Sequence, residues 1–169
     1  MRCWRYLLFA SLLVPSAWNA WRFSDLPHLG SQQDDAVYLA TARSLTQGDY
    51  RVESLPERPF QTKYPPLFPA WLSLAWQIEP RFPEVLPWAL FLQWLWTPAY
   101  LGAVWLMLAD FPLPEPARWA ILALCAFQPY VLFLGVFLMS ELMSAALVTL
   151  SLAWASRRPW LSGGLAGAA

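Results

Sequence analysis

Charge is scarce in this chain. Only 13% of its 169 residues are Asp, Glu, Lys or Arg, against roughly 25% in an ordinary soluble domain, and eleven acids balance eleven bases to a net charge of zero. A neutral chain with so few bases lacks the electrostatic footprint that nucleic acid requires, so that class of partner is excluded. Histidine occurs once, at His28 between Pro27 and Leu29, and cysteine twice, at Cys3 and Cys125. No metal-ligand spacing can be made from them, and both cysteines read as packing residues that do not pair. Cys3 also precedes the first apolar run, so it does not resemble a lipoprotein attachment site. No internal repeat or low-complexity tract is present.

What is abundant is apolar and aromatic: 58% hydrophobic residues and twelve tryptophans. Eight of the eleven acids and six of the eleven bases fall between Arg22 and Glu84, which leaves the rest nearly uncharged. This profile predicts an all-α polytopic membrane protein with four transmembrane helices and a truncated fifth. The first span is 4–21, with a cleaved signal peptide as its alternative; the apolar centre is short, but no convincing cleavage site follows it. The second is 85–109, which runs without a charge for about 37 Å as a helix and is kinked by Pro87 and Pro98. The third and fourth are 119–135 and 142–156, and 161–169 reads as the start of the fifth. Arg2, Arg5, Arg118, Arg157 and Arg158 fall on one side if the spans alternate, so the N-terminus is expected to be cytoplasmic. The expected localisation is multi-pass in the cell membrane, with the long first loop, 22–84, external or periplasmic.

That loop is the polar island. Ser31 and Asp34 offer capping oxygens and Gly48 a stop, so 34–47 reads as a helix with Tyr38, Ala42 and Leu45 on one face. Pro65, Pro66 and Pro69 stiffen the entry to a second helix, 67–77, too short to span and expected at the interface with Trp71 and Trp76 at headgroup depth. Asp34 and Asp35 are about 100° apart on a helix and do not face one cavity. Either one is a site residue and the other a cap, or both are ordinary helix-start acids. Glu141, flanked by Leu138, Met139, Leu142 and Met143, is costly near hydrocarbon unless it faces a polar cavity, meets a partner or snorkels to the interface.

The run from Asp34-Asp35 through Tyr38 and Arg43 to Gly48-Asp49-Tyr50, followed by Lys63-Tyr64-Pro65-Pro66-Leu67-Phe68-Pro69, resembles the first external loop of the GT-C fold glycosyltransferases. These are integral-membrane enzymes that use lipid-linked sugars, such as the protein mannosyltransferases and the aminoarabinose transferase of lipid A. Ser140-Glu141, then Arg157-Arg158 and a glycine-rich restart, resembles their next segments. The resemblance implies inverting transfer of a sugar from a polyprenyl-phosphate donor to a glycolipid or protein acceptor, with the lipid bilayer as a further partner. By match to the motif, Asp34 is the candidate base, with Asp35 beside it. Lys63 is the candidate for the donor phosphate, with Arg58 a second one from its nearness in sequence. Glu141 is assigned to the acceptor or to a metal, which leaves a divalent cation open and no cofactor certain. Members of that family have more than ten spans, so the chain reads as the N-terminal part of one such domain, not active alone. Two other readings stand beside it: a non-enzymatic polytopic protein such as a transporter or assembly subunit, and a secreted domain in which 85–109 is a buried core helix.

Overall fold

The computed structural model describes residues 3–52, 55–155 and 158–169. Among them nine helices follow one another: α1 (Cys3–Arg22), α2 (Asp34–Thr46), α3 (Leu67–Ile78), α4 (Leu86–Trp94), α5 (Trp96–Leu108), α6 (Glu115–Ala126), α7 (Pro129–Leu134), α8 (Glu141–Trp154) and α9 (Pro159–Ala168). Extended pairing among these residues is confined to one antiparallel bridge, Arg51 to Phe60.

Proline sets most of the boundaries. The uncharged run 85–109 is divided at Leu95 into α4 and α5, because Pro98 has no N–H to give to the Trp94 carbonyl. The run 119–135 is divided too, with α6 ending at Ala126 and α7 opening on Pro129. Gln128 caps α7 by accepting the Val131 N–H at 2.7 Å. The 14 residues of α8 extend about 21 Å, against the roughly 30 Å of a hydrocarbon core. Only α1 has the length, and its Arg5, Asn19 and three tryptophans keep it from being sufficiently apolar. Among the described residues, therefore, no helix is long and apolar enough to cross a membrane. This overturns the expected polytopic membrane fold and, with it, the multi-pass localisation. Arg2 and Arg157, used for the orientation, lie outside the described residues.

The apolar runs pack on one another instead. One core joins α2, α3 and α4 through Tyr38, Leu39, Phe68, Leu72, Ala89 and Leu90, with Leu138 and Met143 closing it from α8 and the turn before it. A second joins α1, α5 and α6 through Leu12, Leu101, Val104, Leu108 and Leu122. Burying a leucine completely, as at Leu72, Leu90 or Leu101, contributes about 1.5–3 kcal/mol. The run 85–109 thus contributes to both cores, while Trp88, Phe91 and Leu106 on its other faces stay exposed. Trp71 and Trp76 also differ from the expected interfacial position. Trp76 is buried and donates to the Leu39 carbonyl at 3.0 Å, and Trp71 donates to the Leu92 carbonyl at 3.0 Å while meeting the Trp96 ring. Each indole N–H finds a protein acceptor, which lets the large ring leave solvent. The stretch 161–169 lies within α9, which folds back on α8 through Ser151 and Ser162 and through Ser144 and the Ala169 carbonyl.

Candidate functional site

The expected helices 34–47 and 67–77 appear as α2 and α3, and they carry the polar island to one place. Asp34 opens α2, where a negative charge complements the unpaired N–H groups of the first turn. Lys63 and Tyr64 lie on the bend before Pro65 and Pro66, and Pro66, at φ −75° and ψ −12°, already has the helical backbone that α3 continues from Leu67. The Tyr50 hydroxyl donates to the Tyr64 carbonyl at 2.9 Å and ties this stretch to the far end of α2. Tyr64 then donates its hydroxyl to Asp34 Oδ1. Lys63 Nζ stands 3.6 Å from the same oxygen and donates to the Tyr64 hydroxyl at 2.5 Å. Among the described residues Asp34 Oδ2 takes no hydrogen bond, and the carboxylate is about one-third exposed.

The next layer comes from Tyr38, Phe68 and Ser140, which the resemblance includes without assigning them a role. The Tyr38 ring lies 4.8 Å from that of Tyr64 and 4.9 Å, edge on, from Phe68. Its hydroxyl shares a hydrogen bond of 3.1 Å with Ser140, one residue before Glu141. Burial pushes the Tyr38 hydroxyl above its usual pKa, and the negative charges of Glu141 and Asp34 push it further. The hydrogen bond to Tyr64, followed by the attraction of Asp34, likewise raises Lys63. Both shifts favour the protonated forms of Lys63 and Tyr38 at neutral pH. The Tyr64 signal lay in its adjacency to Lys63. Tyr38 gave no signal distinct from that of any core aromatic.

The structure separates the acid pair. Asp35 is 1% exposed; its carboxylate accepts the Gly30 N–H at 3.0 and 3.1 Å and the Ala36 N–H at 2.7 Å. It closes the loop before α2, where Gly30 and Gln33 both adopt positive φ, and it is turned away from Lys63. The expected side-chain cap at Ser31 or Asp34 is absent, because Gln33 occupies the capping position without a side-chain hydrogen bond. Arg58 sits at a positive φ in the hairpin closed by the Arg51–Phe60 bridge, and its carbonyl accepts from Arg51 at 3.0 Å. Glu141 opens α8 and is exposed. His28 donates from Nε2 to the Val136 carbonyl at 2.8 Å, with its ring 4.1 Å from that of Phe137. Both cysteines are free thiols.

Among the described residues no three His, Cys, Asp or Glu side chains gather as a metal would require. No family model matches the chain, and neither a curated protein nor a solved structure matches it. The GT-C resemblance therefore rests on the residues quoted for it.

Proposed function

We propose that the Asp34–Tyr64–Lys63 cluster transfers a glycosyl group from a polyprenyl-phosphate donor to an acceptor hydroxyl by inverting displacement. The observation that supports it is the shared oxygen: one carboxylate oxygen of Asp34 holds Tyr64 and Lys63, and the other is open. An acceptor hydroxyl donates to the open Oδ2. As its oxygen attacks the anomeric carbon, its proton passes to Asp34. The new C–O bond forms on the face opposite the departing phosphate, which leaves with the electron pair of the broken bond. That phosphate gains negative charge, which the Lys63 ammonium stabilises. Tyr64, fixed through Tyr50 and the two prolines, keeps the base and the cation in register.

The test is release of polyprenyl phosphate from polyprenyl-phosphate sugars by the full-length protein, followed by chromatography. Asp34→Asn keeps an acceptor for Tyr64 but removes the base. Turnover is expected to fall about 10²- to 10⁴-fold with donor binding retained. Undiminished turnover in this variant overturns the reading.

A further inference from the structure

We infer that the protein has a second binding site, between α5, α6, α7 and the start of α8, for a small cation with a compact apolar body. A cavity of about 540 Å³ opens there, within the range of small-molecule sites. Ile121, Leu124, Val131, Leu134 and Ala145 form its walls, and Leu124 is 73% exposed. Such an apolar surface gains free energy when a ligand removes it from water.

The polar groups around this cavity choose the sign of the ligand. Glu141 is on its lining, and among the described residues neither Lys nor Arg lines it. No ion pair involves Glu141 among the described residues. Gln128 has its side-chain oxygen engaged by the Val131 N–H, and its amide can still donate or accept. Tyr100 and Tyr130 add hydroxyls, which serve either sign. A first-turn glutamate alone signifies only complementarity to its helix. Set on an apolar cavity without a counter-cation, it attracts an ammonium, gives nothing to a neutral head group and repels a carboxylate. The site uses neither Asp34 nor Lys63, so its binding test can fail or succeed without deciding the Asp34→Asn result.

Three probes with one apolar body separate the outcomes by calorimetry at pH 7: 4-phenylbutylamine, 4-phenylbutanol and 4-phenylbutanoate. The amine is expected to bind at least tenfold more tightly than the alcohol, and the carboxylate most weakly. Glu141→Gln, a change at an exposed side chain, is expected to bring the amine down to the affinity of the alcohol and leave the alcohol unchanged. Cys125 lines the cavity. In a Cys3→Ser background, saturating amine is expected to slow its alkylation by iodoacetamide at least tenfold. The inference is overturned if none of the probes binds, if alcohol or carboxylate binds as tightly as the amine, if Glu141→Gln leaves the amine unaffected, or if Cys125 is not protected.

Discussion

Asp34 and Glu115 each stand in the first turn of a helix, and each meets a base from a distant segment. Glu115 has both oxygens engaged: Oε2 accepts from Arg5 at 2.8 Å and Oε1 from the Trp119 indole at 3.3 Å. Trp119 in turn packs against Trp105 and Trp4. That arrangement is a latch between α1 and α6, and it is complete. Asp34 holds both its partners on one oxygen and leaves the other open. Around it stand Tyr64, Tyr38 and Ser140, groups that can donate or accept according to what binds. An acid at a helix start is common; an acid with a neighbouring cation and an open oxygen is what proton transfer needs. Asp35 makes the same point from within the pair, since its hydrogen bonds to backbone N–H groups fix it as a structural acceptor.

The comparison is broken most directly by substituting both acids. Asp34→Asn is expected to have the largest effect, a loss of transfer of about 10³-fold with a change in unfolding free energy below about 1 kcal/mol, because the pair it breaks is partly exposed. Equal losses of activity and stability would reduce Asp34 to a latch like Glu115. Asp35→Ala should do the reverse. It leaves the Gly30 and Ala36 N–H groups without their acceptor, and denaturant titration is expected to show a loss of about 3 kcal/mol. A stability equal to that of the parent would show that water replaces the carboxylate.

Smaller effects sharpen the difference. Glu115→Gln is expected to cost about 0.5 kcal/mol, since Arg5 and Glu115 have side-chain exposures of 40% and 37% and the pair is screened. A cost above about 2 kcal/mol would show that the latch organises α1. The smallest effect is alkaline. Lys63 has its folded pKa raised above 10.5, so the stability it contributes is complete below that value and is lost as pH rises through the raised one. Tyr38, raised above 10.0, acts in the same direction, because the folded state resists losing its proton. Melting curves from pH 8 to 11.5 should therefore converge for the parent and Lys63→Met at the alkaline end. A gap that widens with pH would contradict the Lys63–Tyr64–Asp34 arrangement.

Local features were legible because local physics decides them. The helix from Asp34 to Thr46 follows from its acids, its apolar face and the glycine just beyond its end, Gly48 at φ 79°. The start of α3 follows from Pro65 and Pro66, which lack the N–H that a helix interior uses and are tolerated at its entry. The adjacency of Lys63 and Tyr64, and the separation of Asp34 from Asp35 by one residue's rotation, are likewise properties of the chain. The destination of the apolar runs is not. A run such as 85–109 can be buried in lipid or in protein, and hydropathy does not distinguish the two solvents. Tertiary structure decided it by breaking that run at Leu95 and closing it against Leu72, Leu138 and Leu122. It also decided which carboxylate oxygen is open and that Ser140 meets Tyr38, 102 residues away in the chain. No sequence pattern carries these contacts, because they arise only when separate helices share one packed interior.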